Sequence, residues 1–176
     1  MILRKINAVI SLLTTFMIMD HAIFHAVWML SMGSVEKTAD SMPWILCVLM
    51  GLHAIISIAL AFLGHKGAEK RKCNGYPELN RAAYLQRATG ILLIIFTFLH
   101  VAGTVGITHP PQIVHAVLPP LFFALTLLHT AISTSKAFIT LGIGNAKFIK
   151  VADIVMKVLC IVTLIADVTG FYLFVC

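Results

Sequence analysis

Five long apolar runs succeed one another along the chain, separated by short segments that hold most of the charge. A helix crossing the ~30 Å hydrocarbon core of a bilayer needs about 20 predominantly apolar residues. The pattern therefore predicts an all-α integral membrane bundle of five transmembrane helices in a single domain, residues 1–176. The expected spans are about 6–30, 43–63, 81–107, 119–141 and 148–175. Composition agrees: 60% of residues are hydrophobic, 11% are charged, and the mean hydropathy is +0.98. A soluble domain needs far more surface charge than that.

Local signals set the expected ends. Pro43 suits the first turn of the second helix and Gly64 its end. Asn74-Gly75-Tyr76-Pro77 reads as a turn in the charged loop 65–80. Thr108-His109-Pro110-Pro111 breaks the third helix, Pro119 and Pro120 open the fourth, and Gly142-Ile143-Gly144-Asn145 ends it. Arg4 and Lys5 precede an apolar run that continues past Asp20 and His21 without a small-residue cleavage site, so it reads as a retained first helix. Cys47, Cys73, Cys160 and Cys176 form no C-x-x-C, and Cys47 and Cys160 read as small apolar helix residues.

Charge sets the expected orientation. Of the 13 Lys and Arg, all but Lys37 fall on one side when the helices are threaded alternately. That side is expected to be cytoplasmic, with the N-terminus inside and the C-terminus outside. The net charge of +6 then belongs to cytoplasmic loops that meet partner subunits or lipid headgroups, not nucleic acid.

Eight histidines are many for so apolar a chain. The first four helices each carry deep ones: His21 and His25, then His53, His100 and His129; the fifth has none. His65, His109 and His115 lie in loops or near helix ends. A single membrane histidine is ordinarily a hydrogen-bonded structural residue. Four helices each offering one fit two bis-histidine haems held between facing helices; a metal or proton pathway is the third reading. Helical spacing puts Leu93, Thr97, His100 and Thr104 on one side of helix III, near Gly90 and Gly103. On helix IV, His129, Ser133, Lys136 and Thr140 form a stripe, and Lys136 is within reach of a haem propionate or snorkels to the interface. His21 and His25 share a face, but no third ligand is spaced to complete a chelate. Asp20 and Asp167 are the deep acids, either a quinone's polar partners or members of interhelical pairs.

The order of these features resembles the single-chain, five-helix, diheme cytochrome b anchor of succinate:quinone oxidoreductases and quinol:fumarate reductases. The sharpest match is Leu85-Gln86-Arg87-Ala88-Thr89-Gly90 followed by His100, similar to that family's Q-R-x-T-G run before a ligand histidine. His53-Ala54, His129 with Ser133 and Lys136, and Arg4-Lys5 before His21 match more loosely. The resemblance implies a distal haem b held by His21 and His100 and a proximal haem b held by His53 and His129, with His25 as the alternative to His21. Gln86, Arg87, Gly90, Thr97, Ser133, Lys136 and Asp20 become candidates for propionate or quinone contacts. No counterpart of the helix II glutamate that some members use near quinol is present.

The implied role is electron transfer to a membrane quinone, expected to be menaquinone, in the cell inner (cytoplasmic) membrane. A flavoprotein and an iron–sulfur subunit would dock on the cytoplasmic face and carry the dicarboxylate chemistry; a dimer of the whole complex is left open. The chain has no dinucleotide fingerprint and no cysteine set for an iron–sulfur cluster. The alternatives are a diheme cytochrome b of another dehydrogenase or transmembrane reductase, and a haem-free anchor or transporter.

Overall fold

The computed structural model describes residues 2–32, 41–68, 77–104 and 112–175, with side chains for 2–32, 43–62, 83–103 and 117–173. Five helices account for nearly all of these: α1 (Ile2–Leu30), α2 (Ser41–Ala68), α3 (Pro77–Thr104), α4 (Gln112–Leu141) and α5 (Ala146–Val175). Four contain stretches long and apolar enough to cross a bilayer: Ile2–Leu30, Pro43–Phe62, Ala83–Gly103 and Val117–Leu141. The protein is therefore a multi-pass membrane protein. α5, which carries Lys147, Lys150, Asp153, Lys157 and Asp167, is not among the four.

The polarity of the molecule is inverted relative to a soluble bundle. Large apolar side chains point outward: Phe16, Phe62 and Phe98 are each at least 70% exposed. The interior is small and hydroxylated, with Ala8, Ala22, Ala26, Ala102, Ala131 and Ala137 beside Thr14, Thr89, Thr126, Ser133 and Thr134. Lipid tails are as apolar as leucine, so burying leucine gains nothing; small residues let helices approach and gain dispersion contacts instead. Several of the buried hydroxyls are satisfied within their own helices. Thr14 donates to the Ile10 carbonyl, Thr126 to that of Phe122 and Thr134 to that of Thr130, at 2.7–2.8 Å.

Helices α1, α4 and α5 pack mutually and form the centre, where Met19, Leu127, Ala131 and Cys160 meet. Gly170 on α5 sits so close to α1 that a Cβ there would lie 3.0 Å from the Met29 Cβ. Helix α2 packs on α1, and α3 packs on α4. Neither α2 with α4 nor α1 with α3 is among the packed pairs of the described residues.

Several expected ends move. Pro119 and Pro120 lie inside α4, which begins at Gln112. They cost only the bonds to the carbonyls of residues 115 and 116 in the first turns, a loss that a bundle can absorb. Helix α2 continues through Gly64 to Ala68. Helix α3 begins at Pro77, the proline having no N–H to leave unpaired at a first helical position. The expected turn at 74–76 and break at 108–111 lie outside the described residues, as does His109.

The stop at Gly142–Asn145 is as expected. Gly142 has φ +72°, its N–H donates to the Ile139 carbonyl, and the Ile143 N–H donates to that of Phe138. That is a Schellman closure. The Asn145 side chain then accepts from the Phe148 N–H at 2.9 Å and caps α5.

Candidate histidine and haem site

Two rungs join α3 to α4. The first is a 2.8 Å hydrogen bond between Thr89 Oγ1 and His129 Nδ1. The Thr89 hydroxyl also lies 2.8 Å from the Leu85 carbonyl and 3.2 Å from that of Gln86. Its single proton goes to one of these carbonyls, so toward His129 it can only accept. His129 therefore carries its proton on Nδ1 and keeps the lone pair on Nε2, a tautomer assigned from the hydrogen-bond network. This is the arrangement of a metal-ligating histidine, in which one ring nitrogen is held by a neighbour so that the other is aimed and basic. Gly90 makes room for the ring, since a Cβ there would lie 3.3 Å from the His129 Cε1.

The second rung is Lys136 Nζ donating to Gln86 Oε1 at 2.8 Å. Gln86 is three residues from Thr89 and Lys136 seven from His129, offsets of about 4.5 and 10.5 Å in antiparallel helices. The lysine covers the ~6 Å difference because helical side chains lean toward the N-terminus. Lys136 thus turns back into the bundle, within electrostatic reach of Arg87, which is itself exposed.

The deep histidines gather in two groups. His53 on α2 lies within electrostatic reach of His129. His21 and His25 on α1 lie within reach of His100. His21 and His25 stack on each other with ring centroids 6.3 Å apart. His100 stacks on Phe122 at 5.0 Å and His25 leans on Phe123 at 5.2 Å, so consecutive residues of α4 touch both rings and place them at similar depth. The helices that carry facing histidines, α2 with α4 and α1 with α3, are among the pairs not closely packed in the described residues.

The remaining candidates are placed as follows. The Ser133 hydroxyl is spent on the His129 carbonyl at 2.7 Å. The Thr97 hydroxyl is buried without a hydrogen-bond partner, as is His53 Nδ1. Gly103 faces open space, and Asp20 is on the exposed surface of α1. Asp167 is fully buried against His25, an interhelical pairing. Side chains of His65 and His115 lie outside the described set.

Sequence reading named neither Thr89 as a partner of His129 nor the rings of Trp28, Phe122 and Phe123. Thr89 stood in the quoted Q-R-x-T-G run, and Phe122-Phe123 lies two turns from His129; both signals were present, but only a three-dimensional neighbour gives them a role.

No group of three or more His, Cys, Asp or Glu side chains is gathered as a chelating site among the described residues. The histidines instead come in opposed groups across unpacked helix pairs, with one orienting hydrogen bond in place and a glycine beside the ring. No protein-family model, curated protein or solved structure matches the chain.

Proposed function

We propose that this protein is the diheme cytochrome b anchor of a succinate dehydrogenase or fumarate reductase complex. The observation that carries the reading is His129. Its Nδ1 is held by Thr89, which leaves the lone pair on Nε2, with His53 within reach across a helix pair that is not closely packed. His53 and His129 hold one haem b. His100 holds the other, with His21 as its partner and His25 as the alternative. Bound haems supply one-electron carriers; the protein supplies axial ligands, low dielectric and orientation. Lys136, tethered by Gln86, and Arg87 provide cationic charge for propionates.

In this reading α5 also spans the membrane: its 30 residues extend about 45 Å as a helix, and it packs along α1 and α4. The N-terminus and the basic loops face the cytoplasm, where a flavoprotein and an iron–sulfur subunit dock. Electrons move between those subunits and a membrane quinone, menaquinone by expectation, in the inner membrane.

The test is a pyridine-haemochrome count on the purified protein expressed with adequate haem. Two non-covalent b haems per chain are expected. A chain that takes up none under those conditions is a haem-free anchor or transporter instead.

A further inference from the structure

The seam between α4 and α5 has no part in the haem reading, yet it holds a groove of about 310 Å³ that opens sideways. Its floor is Leu127, Ala131 and Cys160, all buried, which pack with Met19 of α1 in the centre of the bundle. Its walls are Leu128 and Ile161, each about half exposed. Ala124 and Ala131 leave the trough open, because neither side chain reaches past its Cβ. Along α4 it runs from Ala124 to Ile132, about 12 Å of helix. These residues lie inside the bilayer-crossing stretch Val117–Leu141, so the groove faces lipid tails.

One end of the groove is charged. Lys157 lines it, with its side chain 53% exposed. The lysine leans toward the start of α5, as helical side chains do, and reaches Asp153 at 2.6 Å. The contact of the Phe138 and Phe148 rings, 5.6 Å apart, sets the register of the two antiparallel helices. Asp153 then stands level with Ser133 of α4, one turn beyond His129. The exposed Arg87 of α3, two residues from Thr89, lies near the same height. A level at which exposed charges begin on separate helices marks the membrane interface, where long cations snorkel to headgroups. From there toward Leu164 no residue lining the groove is charged. The pairing with Asp153 leaves Lys157 available: an exposed pair one turn apart is weak, and an ammonium has three donors. Lys147 and Lys150, both exposed, add two cations on the same helix against that single acid.

We propose that this groove seats one acyl chain of an anionic phospholipid, with Lys157 holding the phosphate at the cytoplasmic end. The cytoplasmic leaflet carries the negative surface charge that a lysine at this level attracts. The volume is at the lower end of the ~300–1,000 Å³ of ligand pockets, and a straight trough along two helices matches an extended chain. A docking helix, about 10 Å across, would rest on Leu128 and Ile161 and bury the charges of Lys157 and Asp153 in hydrocarbon. A second copy packed on this seam about a two-fold axis along the membrane normal would set Lys157 opposite Lys157, like charge against like charge at low dielectric. The inference rests on the spanning reading of α5, which sets the leaflet, and needs no haem.

The experiment uses the full chain, purified in detergent and stripped of lipid. It is titrated with phosphatidylglycerol or with phosphatidylcholine of the same acyl chains, and bound lipid is read by native mass spectrometry. Wild type is expected to retain one phosphatidylglycerol about fivefold more tightly than phosphatidylcholine, the difference that one lysine near an anionic headgroup makes. Lys157→Gln is expected to reduce that preference to below about twofold. Lys5→Gln, which removes the same charge from an exposed position of α1, is expected to keep it. Ala124→Phe fills the groove and is expected to weaken the binding of both lipids. Absence of a preference in wild type, or an equal loss in Lys5→Gln, overturns the proposal in favour of a general attraction to net charge. So does a dimer that Ala124→Phe dissolves, which makes the groove an interface between copies. Displacement of the phospholipid by an equimolar prenylquinone overturns it as well, because the groove then seats a quinone tail. If Ala124→Phe does not accumulate, Lys157→Gln, a change at an exposed side chain, decides alone. A chain that retains phosphatidylglycerol but takes up no haem overturns the haem reading alone, because the lipid is counted by mass.

Discussion

Thr89 donates inward to its own helix and accepts from His129 across to the next, so one hydroxyl ties the middle of α3 to the middle of α4. Replacing it with valine keeps the shape and removes the acceptor. The His129 N–H is then left unpaired at a cost of about 1–3 kcal/mol. Thr89→Val is expected to lower the melting temperature in detergent and to perturb the spectrum of the haem proposed between His53 and His129. Thr89→Ser is expected to restore both. An unchanged spectrum in the valine variant would mean that the tautomer of His129 is set by something else.

Gly90 tests how tightly the ring is seated. Two effects compete in Gly90→Ala. Removing a glycine from a helix interior gains up to about 1 kcal/mol, while the new methyl meets the His129 Cε1 at 3.3 Å, which asks the ring to yield by a few tenths of an ångström. The expected outcome is near-neutral stability with a shifted haem band. Gly90→Leu has no such latitude and is expected to lose that haem, as read by haem per chain.

Ligand pairs make a combinatorial prediction. His53→Ala and His129→Ala should each remove one haem, and the double variant should still remove only one. Combining His53→Ala with His100→Ala should remove both. Reduced-minus-oxidised spectra of the four proteins check this, and a His53→Ala, His129→Ala double variant that lost both haems would break the pairing.

The α1–α5 crossing is a packing prediction that is independent of any cofactor. A Cβ at Gly170 lies 3.0 Å from the Met29 Cβ and 3.5 Å from the Ala26 carbonyl, and Met29 is nearly fully buried. Gly170→Val overpacks this contact and is expected to cost about 1–3 kcal/mol. Thermal unfolding in detergent should show the drop.

The helices and their order were legible because lipid makes a long apolar run a sufficient signal. The stop after Leu141 was legible because Gly142 and Asn145 are residues that a Schellman closure and an N-cap require. Pro119 and Pro120 misled because the breaking tendency of proline is a soluble-helix rule, and the start of α4 continues through them. The histidines were visible as a count, but their grouping depends on which helices are neighbours, and periodicity does not encode that. The direction of Lys136 was invisible for the same reason: only the position of Gln86 on another helix turns the lysine inward rather than toward the interface.

The fifth helix carries no histidine, yet it touches both α1 and α4. Helices enter the membrane in the order of synthesis, so α1 can meet α2, and α3 can meet α4, before α5 exists. The rungs at Thr89 and Gln86 are complete within the second hairpin alone. A chain halted after the Gly142–Asn145 turn would hold those rungs and still lack the contact of Gly170 with Ala26 and Met29. The contacts of the centre that run through α5 therefore wait on the last segment, and the helix without a deep histidine completes the packing of two helices that carry them.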